Sequence, residues 1–97
     1  MRSLREDIKQ EVKHLFEDDY MTVMSILSTF LLKHEQINTS RVIRCVIFLS
    51  EGNIVAFKNY LECARIDPRD VIFWAEYENL EGSNLKRLRD FSKPFGN

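Results

Sequence analysis

Apolar residues recur along this chain at the spacing of an α-helix and almost nowhere at the spacing of a strand. Tyr20, Val23, Met24, Leu27, Phe30 and Leu31 form an i, i+3, i+4, i+7 stripe, and Leu4, Ile8, Val12, Leu15 and Phe16 form another. Each stripe must be buried against a second element, which dictates helices packed on helices. With 97 residues there is room for one hydrophobic core. Three glycines and two prolines leave few breaks, so collagen-like and low-complexity folds are excluded.

The breaks that exist set the element boundaries. Ser3-Leu4-Arg5-Glu6 reads as a capping box opening the first helix. Glu17-Asp18-Asp19 reads as a solvated corner, with one aspartate capping the second helix. Residues 33–40 are polar and form a loop, and Ser40 caps the third helix. That helix, over residues 41–49, is rich in β-branched side chains; its length, the Ser before it and Gly52 after it favour a buried helix over a strand. Asn53 caps a fourth helix with Val55, Ala56, Phe57, Tyr60, Leu61 and Ala64 inward. Asp67-Pro68 starts a fifth over residues 71–80, since proline is tolerated where no amide needs a partner. Gly82-Ser83-Asn84 ends it, and Leu85, Leu88 and Phe91 mark a short sixth turn or helix. Residues 92–97 form a tail, with Phe95 a candidate pin. The expected fold is all-α: one domain over residues 1–97, five or six short helices packed as antiparallel pairs through short connections.

Residues 40–81 resemble tetratricopeptide-type helix hairpins in degenerate form. On a 34-residue period, Ile43, Ala56, Tyr60, Cys63 and Pro68 fall at that family's large, small, aromatic, small and proline positions, and Trp74 falls where the next unit would begin. The run from Trp74 to Glu81 is similar to the half-a-tetratricopeptide pattern W-x-x-Y-x-x-L-E. Arg44 stands where a small residue is expected, and residues 1–33 fit the period poorly. The resemblance implies helix-hairpin geometry, a scaffold or adaptor that binds in a groove, and a Trp74 turned toward the core. The chain also looks like small bacterial all-helical proteins, which implies a bacterial origin.

Charge and chemistry narrow the functions. A net charge of −1 argues against a coat for nucleic acid. Apolar runs such as Val46-Ile47-Phe48-Leu49 fall far short of the roughly 20 residues of a membrane span. The N-terminus is polar at once, and two cysteines, Cys45 and Cys63, are too few for a disulfide framework; both are expected reduced and buried, in the cytoplasm. Charge is uneven toward the C-terminus: Asp67, Asp70, Glu76, Glu78 and Glu81 precede Lys86, Arg87, Arg89 and Lys93. Such a pattern either steers a charged partner or draws the two segments together.

His14, His34, Cys45 and Cys63 lack metal-ligand spacing, and no phosphate loop or nucleophile motif is present. Asp70 and Glu76 fall on nearly opposite faces of a helix, so they do not make an acid–base pair. The expectation is a non-enzyme without cofactor or metal. Arg41 and Arg44 share a helix face and could meet phosphates together with Lys86, Arg87 and Arg89, but the acidic fifth helix beside them would repel a nucleic-acid backbone.

The most informative stretch is 67–81. Asp70, Trp74, Tyr77 and Glu81 recur at i, i+4, i+7 and i+11 on one helical face, with Glu78 beside it. Aromatic anchors rimmed by carboxylates describe a protein-binding hot spot for a basic partner. Trp74 and Tyr77 could alternatively grip the preceding helix pair as core. The concrete expectation is an immunity-type inhibitor of a basic toxin, with a tetratricopeptide-like adaptor and a nucleic-acid-binding regulator as alternatives. Oligomeric state is not readable from the sequence.

Overall fold

The computed structural model describes residues 5–35, 38–80 and 84–95, with the backbone alone at 78–80 and 84–86. The fold is predominantly helical. Among the described residues the order is α1 (Glu6–Phe16), a 3-10 turn (Glu17–Asp19), α2 (Tyr20–Lys33), α3 (Ser40–Ser50), α4 (Ile54–Ile66), α5 (Pro68–Glu76) and two short strands, β1 (Tyr77–Leu80) and β2 (Asn84–Arg87).

The apolar stripes do what their spacing requires. Ile8, Val12 and Phe16 of α1 and Val23, Leu27 and Leu31 of α2 are buried in one core with Phe57, Leu61, Ala64 and Val71. Helix α3 is the centre of the assembly and contacts α1, α4 and α5. Val42 through Ile47 are all buried, so its β-branched run serves a helix surrounded on most sides, not a strand. Val55 does not join the core as expected; it is exposed on α4, where Phe57 and Leu61 supply the buried face.

Local chemistry sets most boundaries. Asn53 Oδ1 accepts from the Ala56 N–H at 2.9 Å, and an Asp67 carboxylate oxygen accepts from the Arg69 N–H at 3.0 Å with Pro68 opening α5. Thr39, not Ser40, caps α3, its hydroxyl accepting from the Val42 N–H at 3.3 Å. Asp19 occupies the cap position of α2 without a side-chain cap bond, because the 3-10 turn carries the chain into the helix. The Ser3 cap lies outside the described residues. Between α3 and α4, Gly52 has φ 77°, and a Cβ there would fall 2.6 Å from the Leu15 carbonyl oxygen. The left-handed conformation and the close passage of α1 both require glycine at this position.

The main departure is at the C-terminal end. The fifth helix stops at Glu76 instead of running to residue 80, and the chain continues as β1, paired antiparallel with β2 in the register Tyr77 opposite Arg87 and Glu78 opposite Lys86. Of the expected short sixth turn or helix there is no helix among the described residues: Leu85 lies in β2, and an irregular strap over residues 88–95 follows, with a turn at Phe91. The physical cause is a set of long-range hydrogen bonds. The Glu76 carbonyl accepts from the Leu88 N–H at 2.7 Å and the Arg89 N–H at 3.3 Å, which ties the returning chain to the end of α5.

Candidate functional site

Helix α5 is nine residues long and divides cleanly. Val71, Ala75 and Glu76 face inward, while Asp70, Phe73 and Trp74, with Tyr77 at the junction to β1, face out. Phe73, Trp74 and Tyr77 are 41%, 47% and 37% exposed. Trp74 is therefore on the surface, not in the core where the repeat alignment pointed. Its ring meets Tyr60 of α4 edge-on at 6.4 Å, and Phe73 stacks on Tyr77 at 5.4 Å with a 19° interplanar angle. The Asp70 carboxylate has no hydrogen bond or ion pair to a described residue, because its neighbour Arg69 is turned onto Asp67 at 3.2 Å.

Of the expected site residues, the structure thus gathers Asp70, Trp74 and Tyr77. Glu78 lies in β1, beyond the end of the helix. Glu81 lies outside the described residues, and the helical spacing that linked it to this face ends at Glu76. Phe73 and Tyr60 were missed. Phe73 was legible, at i+3 from Asp70 and i−4 from Tyr77.

Immediately before Tyr77, Glu76 forms a buried polar junction. The Glu76 side chain is 0% exposed. Its Oε2 accepts from Arg41 Nε and the Phe91 N–H, both at 3.0 Å, and its Oε1 accepts from an Arg41 terminal nitrogen at 2.7 Å and from Arg87 Nε at 3.0 Å. Burial pushes this carboxyl's pKa up, but the hydrogen bonds from Arg41, Phe91 and Arg87 outweigh burial and hold it below the ordinary 4.5. A second junction anchors the strap. Asp7 of α1 accepts from Arg44 Nε at 2.9 Å and from the Phe95 N–H at 3.0 Å, while buried Arg44 also donates to the Phe91 carbonyl at 3.0 Å. Burial raises the Asp7 pKa, and the Arg44 and Phe95 hydrogen bonds bring it below 3.8.

These junctions reassign the basic residues. Arg41 and Arg44, weighed as phosphate contacts for the less favoured nucleic-acid reading, are committed to Glu76 and Asp7. Arg87 bridges Glu76 and Asp90, and the Arg89 guanidinium lies 4.5 Å over the Phe48 ring while donating to the Ala75 carbonyl at 3.0 Å. The uneven charge of the C-terminal third is in this part spent within the molecule.

The strap leaves a cleft of about 710 Å³ lined by Phe48, Leu88, Arg89, Phe91, Lys93 and Phe95, among others. Cys45 is buried, and its thiol is pushed up to about 12, first by burial and then by the Glu76 charge. Cys63 is half-buried, and both cysteines are free. Among the described residues no three His, Cys, Asp or Glu side chains gather as a metal-ligating group, and no helix is long and apolar enough to cross a membrane. No protein-family model, curated protein or solved structure matches the chain.

Proposed function

We propose that this chain is a non-catalytic protein-binding module of the bacterial cytoplasm whose α5 face meets a basic partner. The observation that carries the reading is the exposure of Phe73 and Trp74 on α5 and of Tyr77 just past its end, with Asp70 exposed one turn before the two helical rings. Large aromatics concentrate binding energy because they bury much area at little entropic cost, and a carboxylate at their rim selects cationic partners. In its concrete form the module is an immunity-type inhibitor that covers the cleft of a basic toxin such as a nuclease. A tetratricopeptide-like adaptor is the second reading; the cleft beside the strap is lined mostly by residues 88–95 and is not the inter-helix groove such an adaptor would use. A nucleic-acid-binding regulator has the least support, since Arg41 and Arg44 are engaged by Glu76 and Asp7.

The test compares wild type with a Phe73→Ala, Trp74→Ala variant of unchanged helical content as capture baits at low and high salt. One basic protein held by wild type, lost by the variant and weakened by salt is the expected result. A partner retained equally by both baits would sink the reading.

A further inference from the structure

We infer that the α5 face takes an arginine side chain of its partner, the guanidinium lying on the Phe73 and Trp74 rings and pairing with the Asp70 carboxylate. The inference rests on the binding reading above and specifies what that face recognises.

Charge complementarity comes first. Of the described acids around α5, Asp67 is matched by Arg69, and Glu76 is buried under Arg41 and Arg87. Asp70, on the exposed side of the helix, has no side-chain hydrogen bond or ion pair to a described residue and feels Arg69 only through space. It lies three and four positions before Phe73 and Trp74, so each ring is a helical neighbour of the carboxylate, Phe73 on the side of Tyr77 and Trp74 on the side of Tyr60. A ligand matching this set must be cationic at one edge and able to lie flat on aromatic surface. Guanidinium satisfies both demands: it is planar, weakly hydrated and pairs bidentately with carboxylate. An ammonium is a compact, strongly hydrated point charge and gains less on the rings. The protein already builds such an arrangement internally, with Arg89 4.5 Å over Phe48. Phe73 is already stacked on Tyr77, which follows the buried Glu76 in the chain, so part of the aromatic surface is in place without the partner.

Trp74 is the only tryptophan, so its emission reports directly on the site. The experiment titrates the whole chain with capped, glycine-spaced peptides carrying arginine, lysine, citrulline or leucine, and follows Trp74 fluorescence. Arginine is expected to bind tightest, roughly two- to fivefold better than citrulline, with lysine between. Asp70→Asn should bring the arginine-to-citrulline ratio close to one without moving the unfolding midpoint. Citrulline or leucine peptides binding as tightly as arginine, with binding lost in Phe73→Ala, would overturn the arginine inference while leaving a protein-binding face in place. No response to any peptide would also overturn it. If wild type then self-associates in sedimentation and Trp74→Ala does not, a second copy covers the face and the basic-partner reading falls as well.

Discussion

Replacing Glu76 with glutamine keeps the shape of the side chain and removes one buried negative charge. The carboxylate now receives donors from Arg41, Arg87 and the Phe91 N–H. Glutamine offers one acceptor oxygen and turns an N–H₂ toward donors that cannot accept from it. Removing one partner of a buried ion pair costs about 3–5 kcal/mol. Here the arginines are 38% and 41% exposed at the side chain, so their guanidiniums can turn toward water and lower the cost. The buried Phe91 N–H has no such escape. The lower end, about 3 kcal/mol, follows, and at about 4–8 °C per kcal/mol for a chain this short the melting temperature should fall by roughly 12–24 °C. Urea unfolding followed by far-UV circular dichroism measures the loss, and amide exchange at Leu88 and Phe91 should quicken before the rest of the chain. The pH dependence has a definite sign. Because the folded carboxyl lies below its ordinary 4.5, its stabilisation is complete above that value and is lost as pH falls through the lower folded value. The gap between wild type and Glu76→Gln should therefore be widest near neutrality and close in acid. A loss under about 1 kcal/mol at neutral pH, or a gap that does not narrow in acid, would refute the buried junction as described.

Three further outcomes follow from the same geometry. Gly52→Ala should cost at least about 2 kcal/mol in urea unfolding, since an alanine Cβ at φ 77° meets the Leu15 carbonyl oxygen, which is backbone and cannot yield. A thiol reagent should label Cys63 in the folded protein and Cys45 only after unfolding, because a buried thiol pushed up to about 12 offers almost no thiolate; equal labelling rates would contradict this. Asp7→Asn should release the end of the strap, with faster exchange at the Phe95 N–H and a loss of about 3 kcal/mol from leaving Arg44 buried beside a neutral amide.

The parts of this fold that depend on neighbours in sequence were legible. The α1 and α2 stripes, the Asn53 cap and the Asp67-Pro68 start are local signals, and the structure uses each of them. The end of α5 was not legible, because nothing nearby stops it: Tyr77 and Leu80 continue the helical period. The stop comes from Arg41, 35 positions earlier, and from Leu88, Arg87 and Phe91 after it. Of the expected break at Gly82-Ser83-Asn84, Gly82 and Ser83 lie outside the described residues, and Asn84 opens β2 instead of following a helix. Arg44 was the one visible clue to the buried polar core. A charged residue at a position that demands a small one, inside an otherwise apolar helix, requires a partner, and Asp7 supplies it.

The other buried junction, at Glu76, bears on why the aromatic face is exposed. In stacked helical repeats each pair is covered by the next, and the aromatic that begins a unit is buried against its neighbour. The likeness of residues 40–81 to such repeats therefore implied a buried Trp74. In this chain the element after α5 is not another helix. Glu76 is drawn inward by Arg41 and Arg87, the backbone leaves the helix at Tyr77, and the strap passes over α3, where Phe91 packs on Phe48. Among the described residues Phe73, Trp74 and Tyr77 remain exposed at this end of the molecule. The polar junction at Glu76 thus does two things at once: it ends α5 by tying it to α3 and the strap, and it leaves Phe73, Trp74 and Tyr77 exposed at that end of the helix.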